Sequence, residues 1–208
     1  MEMKLENILD KVFEMYNRYG IKSVTMDDVA SMLGMSKKTL YQFVTDKKDL
    51  VEKVIERMIE HKDCQHKAVY GKDLNAIEEI FELAQIMNDH VKNYNPTMEF
   101  DLKKYYPPLH QKISNIRREK MYNSVFENLK MGIESGIYRE EMDVDIITKI
   151  FVSRIELSFD NPLFQPDEIT STKVFKEMMT YHLHGICNSK GLEILKEKLR
   201  TTTVFNKN

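Results

Sequence analysis

Thr25-Met26-Asp27-Asp28-Val29-Ala30-Ser31-Met32-Leu33-Gly34-Met35-Ser36-Lys37-Lys38-Thr39-Leu40-Tyr41-Gln42-Phe43-Val44-Thr45-Asp46-Lys47-Lys48-Asp49-Leu50 is the stretch on which the reading of this chain turns. Thr25 followed by an acid three residues on predicts a helix start: a capping box in which Asp28 is shorter than the usual Glu. Asp27 and Asp28 also sit in the first turn, where negative charge suits the helix dipole. The helix carries Val29, Ala30 and Leu33 and stops at Gly34, whose missing Cβ permits the backbone of a tight turn. Ser36 caps a short second helix with Thr39, Leu40, Tyr41 and Phe43, and Asp46 caps a longer one from Lys47. Two short helices joined by a Gly-containing turn read as a helix-turn-helix, whose second helix enters the major groove. Ala30 lets the helices approach, and Val29, Leu33 and Leu40 bury the inner face. Ser36, Lys37, Lys38, Thr39, Tyr41 and Gln42 remain outside. Lys suits guanine edges or phosphates, Gln suits adenine edges, and Ser, Thr and Tyr suit phosphate oxygens. A helical hairpin with a merely polar face fits the same pattern.

Outward from this stretch the periodicity stays helical. Upstream, Leu5, Ile8, Leu9, Val12, Phe13 and Tyr16 form one face of a helix over Leu5 to Tyr19, ended by Gly20. A short extended segment, Ile21 to Val24, is expected before Thr25. Downstream, helices are predicted over Leu74–Tyr94, Thr97–Tyr105, Leu109–Gly132, Asp143–Phe159 and Ser171–Asn188, with a last turn after Gly191. The 7 Gly and 5 Pro fall between these segments, so the fold class is all-α. The expected division is a three-helix DNA-binding domain over residues 1–48 and a larger helical domain over 49–208.

Composition excludes several classes. The 208 residues are 42% hydrophobic and 31% charged, which is ordinary for a globular chain and unlike a disordered one. No apolar run nears the roughly 20 residues that span a bilayer, and the charged N-terminus is not a signal peptide. A cytoplasmic location with no membrane partner is expected. Cys64 and Cys187 are read as two inert thiols. His61 and His66 are five apart and His182 and His184 two apart, so neither pair shares a helix face and no metal or other cofactor is expected. No phosphate loop, nucleophile elbow or HExxH marks an enzyme. The net charge is −2, and over residues 1–50 eight bases balance eight acids. What keeps DNA as a partner is local: Met32 to Thr45 holds two lysines and no acid, and phosphate binding needs charge only where the duplex lies.

Gly20, Thr25, Val29-Ala30, Leu33-Gly34, Ser36, Leu40-Tyr41 and Lys47 through Leu50 together resemble the DNA-binding domain of the tetracycline-repressor-like (TetR) family, over about residues 5–55. The string Thr39-Leu40-Tyr41-Gln42-Phe43 before an Asp-Lys helix start carries most of the likeness. Beyond residue 55 it rests on helix count and on Gly185-Ile186 followed by Lys190-Gly191. The family's aromatic three residues after the tyrosine is Val44 here, with Phe43 one place earlier. Lys48 and Asp49 stand where an acidic pair is common. The resemblance implies that Thr25, Tyr41 and Lys47 contact the DNA backbone and that Lys37, Lys38 and Gln42 lie nearest base edges.

It also implies a homodimer on a palindromic operator, with recognition helices in successive major grooves roughly 34–36 Å apart. Such a dimer pairs the last two long helices with their copies. The stripes Ile147, Ile150, Phe151, Ile155, Phe159 and Phe175, Met178, Met179, His182, Ile186 permit that; a stripe alone is more often plain core, and the need of a palindrome reader for a dimer reverses this. A small, apolar effector of unknown identity would sit among the middle helices, with Phe81, Met87, Tyr94, Phe100, Tyr105, Phe126, Leu129 and Met131 as candidates. Its binding would reposition the helix starting at Lys47 and release the operator. The expected function is a ligand-responsive transcriptional repressor; the alternative is a helical protein-interaction module with a vestigial helix-turn-helix.

Overall fold

A computed structural model describes residues 5–70, 72–92, 96–158, 163, 168 and 171–202. They form ten helices: α1 (Leu5–Tyr19), α2 (Met26–Met32), α3 (Lys37–Leu40), α4 (Lys47–Tyr70), α5 (Ala76–Lys92), α6 (Pro96–Tyr105), α7 (Pro107–Glu134), α8 (Val144–Ser158), α9 (Thr172–Ile186) and α10 (Ser189–Thr201). Among the described residues there is no β-strand, only an isolated antiparallel bridge between Tyr138 and Cys187. No described helix is long and apolar enough to cross a membrane.

Helix bounds follow from capping chemistry. The Thr25 hydroxyl accepts the Asp28 N–H at 3.2 Å while the Asp28 carboxylate accepts the Thr25 N–H at 2.8 Å, so the shorter acid closes the box. Asn75 accepts from the Ile77 and Glu78 N–H groups, Asp143 from that of Ile146 and Ser171 from that of Val174. These residues stand outside the helices they start, so α5, α8 and α9 begin later than periodicity alone suggests. The prolines act the other way. Pro96 and Pro107 open α6 and α7, because proline's missing N–H costs nothing in a first turn.

Two expectations are corrected. Residues 21–23 are a turn rather than an extended segment: Gly20 adopts φ 81°, and the Ser23 hydroxyl donates to the Tyr19 carbonyl. The tail is a helix of 13 residues, not one turn, because Asn188 caps it and Leu195 is fully buried.

The chain divides into two compact units, residues 1–65 with 94–114 and residues 66–93 with 115–208. The core of the first joins Ile8, Val12 and Tyr16 of α1 to Val29, Leu40, Val44 and Leu50, with Leu102, Leu109 and Ile113 contributed by α6 and the start of α7. In the second, Ile77 and Phe81 of α5 pack with Leu129, Tyr138, Phe151, Phe175, Leu183 and Leu195. Its last two helices are clipped to residues 136–139. The Asn188 N–H donates to the Ile137 carbonyl at 3.1 Å and the Arg139 N–H to that of Ile186 at 2.9 Å.

Candidate nucleic-acid interface

A four-residue helix has no stability of its own, so α3 is held from both ends and from beneath. The Ser36 hydroxyl accepts the Thr39 N–H at 3.1 Å. Gly34, at φ 67°, makes the turn from α2, and the Met35 N–H closes onto the Ala30 carbonyl at 3.0 Å. Leu40 is wholly buried and Val44 nearly so, while Phe43 is partly covered. Val44 therefore fills the core beneath α3. This arrangement leaves Ser36, Lys37, Lys38, Tyr41 and Gln42 exposed and Thr39 partly so. Tyr41 is 43% exposed for its size, with its backbone at the end of α3.

The N-termini of α2 and α4 lie beside this face. Thr25 is exposed at its cap. Asp46 caps α4 by accepting the Asp49 N–H at 2.8 Å, and Asp49 reaches back to the Thr45 N–H at 2.8 Å. Lys53 ties the same carboxylate and the Phe43 carbonyl, fixing the end of the recognition segment to α4.

Charge is placed differently from the sequence reading at two points. Lys37 Nζ lies 3.0 Å from the Asp27 carboxylate of α2, which raises the lysine's pKa. Met32 to Thr45 has no acid of its own, but one arrives from the neighbouring helix. Both groups are exposed, and such pairs contribute little, so a phosphate can replace the carboxylate. Lys47 is half-buried. Its Nζ donates to the Val24 carbonyl at 2.6 Å and the Lys22 carbonyl at 3.4 Å, stapling α4 to the turn before α2. Burial and then the nearby Lys22 push its pKa down.

Asp101 of α6 carries no motif, yet it supports this face. It is buried, and Oδ2 accepts the Lys22 N–H at 2.7 Å. A Cβ at Gly20 would lie 2.9 Å from Thr97 Cγ2 and 3.0 Å from Asp101 Oδ2, so only glycine lets the turn seat on α6. Nothing in the sequence marks this role, because the partners stand 79 residues apart.

The described effector candidates are divided between the two units. Phe81 and Leu129 are buried in the core of the second unit, and Met87 and Met131 are packed against that core. Phe126 stacks on Tyr122 at 5.7 Å and lies under Lys130. Phe100 and Tyr105 belong to the first unit and are exposed, because α6 turns its buried side, Asp101 and Leu102, towards the helix-turn-helix core. Tyr94 lies outside the described residues. A chain of polar groups crosses the interior of this unit. The Tyr138 hydroxyl donates to Asn128 Oδ1 at 3.2 Å, and Asn128 Nδ2 donates to the Ala76 carbonyl and to Glu79 at 2.9 and 2.8 Å. Burial raises the Glu79 pKa. The chain of bonds fixes α5 to α7.

The residues expected at a dimer interface are placed largely inside a single copy. Phe151, Ile155, Phe175, Met179, His182 and Ile186 are buried and Met178 is partly covered; Phe159 lies outside the described residues. His182 packs on Phe151 at 4.1 Å between ring centroids, and burial pulls its pKa down to about 4. Among the described residues, the large apolar side chains that α8 and α9 leave exposed are Ile146, Ile150 and Tyr181. Among the described residues no cluster of His, Cys, Asp and Glu could hold a metal ion.

The chain is 32% identical over 102 residues to an uncharacterized HTH-type transcriptional regulator, YvaF, of Bacillus subtilis (strain 168); the match covers 49% of this chain and about half, 53%, of that protein. In fold it is similar to a transcriptional regulator from Cytophaga hutchinsonii ATCC 33406, with TM-score 0.74 at 17% identity over 90% of this chain and 100% of that one. A putative transcriptional regulator from Saccharomonospora viridis, solved in complex with choline, aligns with TM-score 0.65 at 16% identity, covering 88% of this chain and 97% of its own. Residues 8–54 match the family model described as bacterial regulatory proteins, tetR family, which spans α1 to the first turns of α4. Over that helix-turn-helix segment the chain is similar to the tetR family of bacterial regulatory proteins.

Proposed function

We propose that this regulator is a ligand-responsive, sequence-specific repressor that binds a palindromic operator as a homodimer. The observation that carries the reading is the exposed row Ser36, Lys37, Lys38, Tyr41 and Gln42 held over a closed core by Leu40 and Val44. Thr25 and Tyr41 contact phosphates and fix the register. Lys37, Lys38 and Gln42 face base edges, with Lys37 exchanging Asp27 for DNA. Lys47 reaches a phosphate only by giving up its carbonyl partners, so its first role is to hold the turn before α2. Tyr41→Ala is expected to weaken operator and random DNA alike by about tenfold or more, while Gln42→Ala lowers the preference for operator by about 1–3 kcal/mol. Anisotropy titrations on both duplexes test this. Equal losses on both duplexes for both variants would refute the division of roles.

The dimer face we propose is the outward one: Ile146 and Ile150 of α8 with Met178 and Tyr181 of α9. Three of these are exposed apolar side chains at helical spacing, and a palindrome reader needs a two-fold partner. The doubly charged variant Ile150→Asp/Tyr181→Asp should run as a folded monomer by light scattering. Persistence of the dimer at micromolar concentration would place the interface elsewhere.

The effector we propose is a small, largely apolar molecule bound by the second unit, where Phe81, Met87, Leu129 and Met131 supply adaptable apolar surface. A regulator of similar fold was solved with choline, which supports small-molecule sensing as a class. Two observations favour the second reading, a protein-interaction module with a vestigial helix-turn-helix: Lys37 is paired with Asp27 and Lys47 is turned inward. Steeply salt-dependent DNA binding excludes it.

A further inference from the structure

We infer that the DNA interface extends beyond the helix-turn-helix onto the end of α6, where Lys22 and Lys104, gathered on the ring of Tyr105, take phosphates of duplex flanking the operator half-site. The inference rests on the proposed DNA-binding role and adds a second contact area to it. Lys22 Nζ lies 4.8 Å from the Tyr105 ring centroid, and Lys104 Nζ lies 5.3 Å from the same centroid and 5.2 Å from that of Phe100. All four side chains are exposed, Phe100 by 56% and Tyr105 by 41%. Among the described residues neither ammonium has a carboxylate within ion-pair distance. Asp101, the acid beneath them, is buried and spends Oδ2 on the Lys22 N–H. Glu99 is engaged with His110 at 2.9 Å.

Two like charges drawn to one exposed aromatic ring repel each other, and an anion between them removes the repulsion. The helix dipole accounts for a lysine in the last turn of α6. It does not account for Lys22, which stands in the turn before α2, nor for two large rings left in water beneath the cations.

Continuity with the proposed interface chooses the partner. Lys47 Nζ donates to the Lys22 and Val24 carbonyls, and Val24 directly precedes the Thr25 cap. Lys22 therefore stands between the N-termini of α2 and α4 on one side and Tyr105 and Lys104 on the other. The close seating of Gly20 on Thr97 and Asp101 fixes the Lys22 backbone there. Duplex DNA presents one phosphate charge about every 1.7 Å along its axis, so a strand leaving the half-site offers a ladder of anions to this row.

The test uses the full-length protein and a duplex it selects from a random library. One form is trimmed to the half-sites and one carries about ten further base pairs at each end. The wild type should bind the long duplex about tenfold more tightly than the short one. The Lys22→Ala/Lys104→Ala variant should lose that gain and lower the slope of log K against log salt by about 1.8 per subunit, with the ratio of selected to random duplex unchanged. Lys22→Arg/Lys104→Arg should restore the slope, which a merely structural role would not predict. A wild type that gains nothing from the flanks, or an alanine variant that keeps the wild-type slope, overturns the inference and leaves the proposed function standing. A wild type that selects no duplex at all overturns both.

Discussion

Leu40→Ala is expected to cost about 2–5 kcal/mol of folding stability, read as a lower urea midpoint at unchanged slope. Leu40 is the wholly buried side chain of a helix only four residues long. The caps at Ser36 and Gly34 set the direction of that helix, but they bury no apolar surface. The backbone bonds from Phe43 and Val44 to the Leu40 carbonyl, at 3.0 and 3.3 Å, also converge on this residue. Removing the side chain opens a cavity beneath the recognition segment, so the exposed row above it loses its fixed register. Operator binding should fall even at temperatures where the variant is fully folded. Lys38→Ala, an exposed neighbour, should change stability by no more than about 0.5 kcal/mol. Similar urea midpoints for the two variants would show that Leu40 does not anchor the helix.

Gly191→Ala is expected to destabilise the second unit by about 3 kcal/mol. A Cβ there would stand 2.1 Å from the Ile137 carbonyl oxygen and 3.2 Å from Cys187 Cβ. The first of these is a backbone atom, so no rotamer change relieves the clash. The start of α10 must lift from residues 136–139. That strains the Asn188 N–H to Ile137 bond and the two bonds from Asn188 Nδ2, at 3.0 and 3.2 Å, to the Gly136 and Tyr138 carbonyls. Lys190→Ala, next in sequence but exposed, should leave the unfolding midpoint within error. A Gly191→Ala protein as stable as the wild type would mean that the tail does not dock where it is placed here.

The recognition segment was legible because its signals are local. Thr25, Ser36 and Asp46 are short polar residues just before apolar runs, and a cap acts within three residues of itself. Leu40 and Gly34 follow from the same spacing. What the sequence hid is non-local. Asp27 and Lys37 are ten residues apart on different helices, and Asp101 meets Lys22 across 79 residues. No periodicity reports either. In α8, Ile146 and Ile150 form one apolar stripe and Phe151 and Ile155 another; hydrophobicity alone cannot tell which faces the core, and the bulkier aromatic side went inward. The effector candidates suffered from the same limit. Phe100 and Tyr105 look like pocket lining in a list of aromatics, yet on α6 the core is met by Asp101 and Leu102. That residues 94–114 pack with 1–65 is a property of the assembled chain, and chain order does not announce it.

The central claim is that this chain reads DNA sequence with α3. The most direct test is fluorescence anisotropy with duplex from just upstream of the protein's own gene, against random duplex, across a salt series. Binding should exceed that to random DNA by about a thousandfold or more and fall steeply with salt, as phosphate contacts release counterions. Weak binding with no preference between the duplexes and no salt slope would contradict the account and make the interaction-module reading the better one.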